Sequence, residues 1–137
     1  MKRIYLFSLV IAILSAPAMA SDVVAERKAN FKANGGAMRA MGGLIGAGDF
    51  DAIAANADKI SRWASVMPDY FPEGSESDGA KEDIWFEFER FTALSIDNKN
   101  AADALKMAAM NKDSAAVKQA VGALGATCKS CHSSFKN

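Results

Sequence analysis

The chain has one histidine, His132, and only two cysteines, Cys128 and Cys131, among 137 residues. A single imidazole leaves no second histidine to act as a general base. No nucleophile–base pair stands out either, so an enzyme is not expected. Two cysteines are too few for a disulfide framework. Prolines are confined to Pro17, Pro68 and Pro72, which leaves long stretches free of helix breakers. β-Branched residues are sparse and never alternate with polar ones over a useful length, so no strand is predicted. Basic and acidic side chains balance at 16 each, with no basic stripe, which argues against nucleic acid as a partner.

The N-terminus has its own pattern. Lys2 and Arg3 form a short positive start, and Ile4 to Leu14 is apolar apart from Ser8. Ala18-Met19-Ala20 supplies the small residues of a cleavage site. This predicts a secretory signal peptide over residues 1–20, removed after Ala20. The apolar run is short for a membrane span. Residues 21–137 then form the mature domain, soluble and extracytoplasmic, with no membrane association after cleavage. Its charge is −2, because the leader removes Lys2 and Arg3 from the 16 basic residues and nothing from the 16 acidic ones. Periplasm is the expected compartment.

Four segments of the mature chain show helical periodicity. In the first, about Asp22 to Ile45, Val24, Phe31, Met38 and Ile45 recur every seven residues with Met41 alongside, and Gly42, Gly43, Gly46 and Gly48 are expected to break it. Asp49 is a good N-cap for the second, where Phe50, Ile53, Ala57, Ile60, Ala64 and Met67 alternate spacings of three and four up to Pro68. Asp69 to Gly79 reads as a loop, with Tyr70 and Phe71 tucked against the core. The third runs from about Ala80 to Met110, opens on an apolar face of Ile84, Trp85, Phe88 and Phe91, and has a polar stretch at Asn98 to Asn100 where a break is expected. Asp113 caps the fourth, in which Val117, Val121, Leu124, Cys128, Cys131 and Phe135 make one seam. The expected fold is all-α, an antiparallel four-helix bundle.

Cys128-Lys129-Ser130-Cys131-His132 is the attachment signature of c-type haem. Two thiols three residues apart on a helix point to one side. There they can form thioethers with the two haem vinyl groups, and His132 follows directly to ligate the iron. Other chemistries fit less well. A thioredoxin-like pair needs a strand–helix setting. A zinc site needs about four ligands, and the motif offers three with no further cysteine or histidine. A plain disulfide leaves the histidine unexplained. Because both cysteines fall on the apolar seam, one covalently bound haem c is predicted inside the bundle. Arg27 lies on the flank of the core row of the first helix. Such an arginine either snorkels to solvent or finds an anion; the haem propionates are the preferred partners.

Together, Arg27-Lys28-Ala29-Asn30-Phe31, Ile84-Trp85 and Cys128 to His132 near the C-terminus resemble cytochrome c′, the c-type cytochromes built as four-helix bundles. The resemblance covers essentially the whole mature chain. It implies that Arg27 contacts a propionate, that Lys28 lies near the haem edge, that Phe31 sits over the distal face, and that Asp78 and Gly79 approach the haem edge. Lys136 takes a place where relatives often carry arginine. Relatives commonly form homodimers through their first two helices, and Ala33, Gly36, Ala40 and Gly43 would permit close approach here.

Residue 31 separates two functions. Related low-spin cytochromes of this bundle type carry a methionine there that ligates the iron. Phenylalanine cannot ligate, which would leave a five-coordinate, high-spin iron under an apolar wall. Without a hydrogen-bond donor such a site disfavours dioxygen and depends less on polarity for nitric oxide or carbon monoxide. The expected function is therefore binding of NO and CO together with electron transfer, with an unidentified redox partner protein. The alternative is a low-spin electron carrier with a methionine as sixth ligand, Met38 or Met41 being the candidates.

Overall fold

A computed structural model of the protein describes residues 17–137; the predicted signal peptide, apart from its last four residues, lies outside them. Four long helices make the bundle: α1 (Pro17–Ala47), α2 (Phe50–Val66), α4 (Phe88–Met110) and α5 (Ser114–Phe135). A one-turn helix, α3 (Asp83–Phe86), precedes α4. Among the described residues there is no strand, only an isolated bridge between Ala80 and Lys136. No described helix is long and apolar enough to cross a membrane.

The helix boundaries follow local chemistry. The Asp49 side chain accepts from the amide of Ala52, and that of Asp113 from the amides of Ala115 and Ala116. Both act as the N-caps the sequence predicts. After Val66 the chain tightens into a 3₁₀ turn, Met67–Tyr70, around Pro68. Two predicted interruptions are absent. α1 continues through Gly42, Gly43 and Gly46 and ends only at Gly48, where φ is +69° and the Asp49 amide bonds back to Leu44 O. Each interior glycine costs only about 1 kcal/mol, and the packing of Met41, Leu44 and Ile45 on the core outweighs that cost. Asn98 to Asn100 is also continuous helix, because Asn98 is buried and donates to Thr127 Oγ1 at 2.8 Å. The break in the third segment falls earlier, at Glu87.

α4 ends with the same geometry as α1: the Asp113 amide bonds to Ala108 O and the Lys112 amide to Ala109 O. Here, however, the left-handed residue is Lys112, at φ +55°. A side chain in this region costs about 1 kcal/mol that glycine does not. Lys112→Gly is therefore expected to stabilise the protein by roughly that amount, read as a raised urea midpoint. A lower midpoint would contradict the assignment.

The interior divides into two clusters. One is aliphatic and includes Met41, Ile53, Ile60, Leu105, Val117 and Leu124. The other is aromatic, built on Trp63, Met67, Phe71, Ile84, Phe91 and Phe135. α2 packs mainly on α4, and α4 on α5. Lys106 of α4 bonds Asp58 of α2 at 2.7 Å, and Ser61 of α2 donates to Asp103 of α4 at 2.6 Å. Two details differ from the sequence reading. In α1 the buried apolar residues are Ala37 and Met41, while Val24, Phe31, Met38 and Ile45 are only half-buried. In the third segment Ile84 and Phe91 are buried as expected, but Phe88 is exposed, because the kink at Glu87 turns it outward.

Candidate functional site

A cavity of about 550 Å³ opens where the two clusters meet, a size suited to a cofactor. α5 brings Cys128, Cys131 and His132 to it, and α1 brings Arg27, Lys28, Phe31 and Met38. Gly79 also lines it. Asp78 does not: its side chain lies in the neighbouring shallow cleft, and its carbonyl accepts from Asn137. Seven of the eight sequence-predicted site residues are thus brought together. Met41, one of the two alternative iron ligands, is fully buried in the aliphatic cluster and does not reach the cavity; Met38 does.

The cysteines are free and half-buried. Burial pushes both thiols up, Cys131 to about 11, while Asn98 donates to Cys128 Sγ at 3.5 Å and partly offsets the effect there. Both are therefore neutral thiols at ordinary pH. His132 faces the cavity. Desolvation by the protein packed around it, and then the charge of Lys136, hold its imidazole below the ordinary value. A neutral imidazole is the form that ligates a metal. The Phe31 ring stands across from it, centroids 6.5 Å apart.

Arg27 does not snorkel; it is 2% exposed. It reaches 43 to 50 residues along the chain to the loop after α2. Nη1 donates to Tyr70 O at 3.2 Å and Ser75 Oγ at 3.0 Å. Nη2 donates to Ser75 O at 2.6 Å and Ser77 Oγ at 2.9 Å. The guanidinium also lies 4.3 Å over the Phe71 ring. Burial lowers its pKa and Glu76 partly restores it, leaving it charged. Arg27 thus fixes the loop that closes one side of the cavity. Arg27→Ala is expected to cost about 3 kcal/mol, since it strands the buried acceptors of Ser75. Urea unfolding would read the loss, and faster amide exchange over residues 71–79 would localise it. Lysine should not rescue, because one ammonium cannot span the same acceptors.

Several wall residues escape the sequence reading. Leu94, Ser95 and Asn98 of α4 and Thr127 of α5 line the cavity. Asn98 was legible only as a polar interruption. Trp63 sits behind Phe31, edge to face, with ring centroids 5.4 Å apart. Its Nε1 is the one buried side-chain polar atom among the described residues with no hydrogen-bond partner. Leaving such a group unpaired costs about 1–3 kcal/mol.

The cavity residues suit a covalently held haem. Two neutral thiols and a neutral imidazole stand on one helix. Arg27, Lys28, Lys32 and Lys136 line the same cavity, and no acidic residue does, so carboxylates would find partners there. The remaining walls are largely apolar.

The comparisons agree. Residues 22–136 match the family model described as Cytochrome C'. A cytochrome c′ of Rhodospirillum rubrum is 35% identical, with 99% of this chain and 99% of the relative covered. A cytochrome c-556 of Agrobacterium fabrum is 36% identical, over 85% of this chain and 82% of the relative. Among solved structures, the nitric oxide complex of a mutant cytochrome c prime from Alcaligenes xylosoxidans superposes with a TM-score of 0.78 at 22% identity. It covers 86% of this chain and 95% of that one, a likeness of fold. With the match spanning nearly every described residue, and two cysteines ready for covalent haem c on the last helix of the bundle, the chain belongs to the cytochrome c′ family.

Proposed function

We propose that the protein is a periplasmic cytochrome of the c′ type, exported by residues 1–20. In this reading it carries a single haem c held through Cys128 and Cys131, with His132 as the only protein ligand to the iron. The site then takes nitric oxide or carbon monoxide and also exchanges single electrons with a redox partner protein. The observation that carries this reading is Phe31, a side chain with no donor atom, facing His132 across the cavity.

When bound, the haem supplies a one-electron couple and an iron that accepts a diatomic ligand. The chain's own residues do the rest. Cys128 and Cys131 anchor the group in one orientation. His132 is kept neutral and so available as a ligand. Arg27 supplies a fixed positive charge for a propionate while its own position is held by Ser75 and Ser77. Lys28 adds a second charge at the exposed rim. Phe31 excludes water from the distal side and must yield to any incoming ligand. Support for gaseous ligands comes also from the structural neighbour solved as a nitric oxide complex.

A specific observation keeps a second reading in view. Met38 lines the cavity on the same helix as Phe31, two turns further along, and the relatives include a cytochrome c-556. A methionine sulfur on the iron would make a low-spin electron carrier. Titrating the reduced protein with nitric oxide or carbon monoxide separates the two. The gas-binding reading expects a stoichiometric change of the visible spectrum. No change at saturating gas would overturn it.

A homodimer through α1 and α2 belongs to the same proposal. Ala33, Ala40 and Gly43 are exposed on α1, open to a second copy. Sedimentation velocity would show a two-chain species, and a strictly monomeric protein would remove the dimer from the proposal.

A further inference from the structure

We propose that Trp63 is a latent hydrogen-bond donor for a ligand bound opposite His132, uncovered when Phe31 moves aside. The inference rests on the gas-binding reading above and deepens it. Ile60 and Trp63 of α2 and Met67, the residue that caps its C-terminus, lie at offsets of three and four and so share one face. Ile60 and Met67 line the cavity, whereas Trp63 between them does not. Phe31 is what stands in front of it: its ring meets Trp63 edge to face at 86°, with centroids 5.4 Å apart. Tyr70 closes the other side at 5.0 Å. Four rings therefore stand in sequence, His132, Phe31, Trp63 and Tyr70.

The indole N–H at this place is without a partner, although Trp63 is only 5% exposed. The other tryptophan of the chain shows that this is not a general property of the fold. Trp85 Nε1 donates to Phe71 O and Pro72 O, both at 3.0 Å. A buried unsatisfied donor calls for an explanation. A diatomic ligand supplies one, since its terminal oxygen is an acceptor and its arrival requires Phe31 to move. The apolar wall then acts as a cover over one polar group. The chemical class served is a small neutral ligand with a terminal oxygen: carbon monoxide, nitric oxide or dioxygen.

The test uses carbon monoxide on the reduced, haem-loaded protein, read by the infrared C–O stretch in H₂O and in fully exchanged D₂O. The proposal expects a band that shifts in D₂O. In Trp63→Phe the band should move to higher wavenumber and lose its D₂O shift, with CO leaving about two- to ten-fold faster, the worth of one neutral hydrogen bond. Phe31→Val removes the cover and leaves the donor, so the D₂O-sensitive band should persist. If Trp63→Phe does not fold, the D₂O shift of the unaltered protein and of Phe31→Val decides. CO binding with the same stretch in both solvents overturns the role of Trp63 and leaves the gas-binding reading intact. Absence of CO binding overturns both.

Discussion

Replacing Cys128 and Cys131 together by alanine is expected to abolish covalent haem. The denatured chain should give no haem stain on a gel, where the unaltered protein is expected to stain. The expectation rests on position as well as on motif. Both thiols project from one turn of α5 into the same cavity, and both are neutral there. A second consequence follows from packing. The cavity of about 550 Å³ lies between the two clusters, and its apolar walls depend on the haem to fill it. A void of this kind is destabilising in proportion to its size. The double variant should therefore unfold at clearly lower urea concentration than the haem-loaded protein. Each single variant should retain haem through the remaining thioether. A double variant that still stains would refute the attachment through these two cysteines.

Phe31→Met is expected to convert the iron from high spin to low spin. Residue 31 is on the α1 face that meets α5 across the cavity, its ring 6.5 Å from that of His132. Methionine is flexible and carries a soft sulfur, so it can follow the contour that phenylalanine now occupies and ligate the iron. Access of nitric oxide and carbon monoxide should fall sharply in the same variant, because the sixth position is taken. An unchanged spectrum would place residue 31 elsewhere and return Met38 to consideration. Met38 lines the cavity, and its methyl group lies near Gly125 of α5.

Two helices, α2 and α5, are legible from strong local signals. α2 combines the Asp49 cap with an unbroken three–four spacing, and α5 combines the Asp113 cap with a seam running from Val117 to Phe135. Elsewhere in the chain tertiary contacts overrule local preference. Three glycines look like a helix end, yet α1 persists because Met41, Leu44 and Ile45 beside them pack on the aliphatic core. Asn98 looks like a bend, yet its amide is satisfied by Thr127 on a neighbouring helix. The same division holds for the site. Cys128, Cys131 and His132 are contiguous and carry their chemistry in their spacing. The serine partners of Arg27 lie 48 and 50 residues away, and no local pattern announces them. Nor does the sequence distinguish Trp63 from Trp85, since only packing decides which indole finds an acceptor.

The distal face opposite His132 is expected to carry no protein ligand to the iron. An electron paramagnetic resonance spectrum of the purified ferric protein at neutral pH tests it most directly. A high-spin signal, changed by nitric oxide, is the predicted result; a purely low-spin, sulfur-ligated spectrum would contradict it.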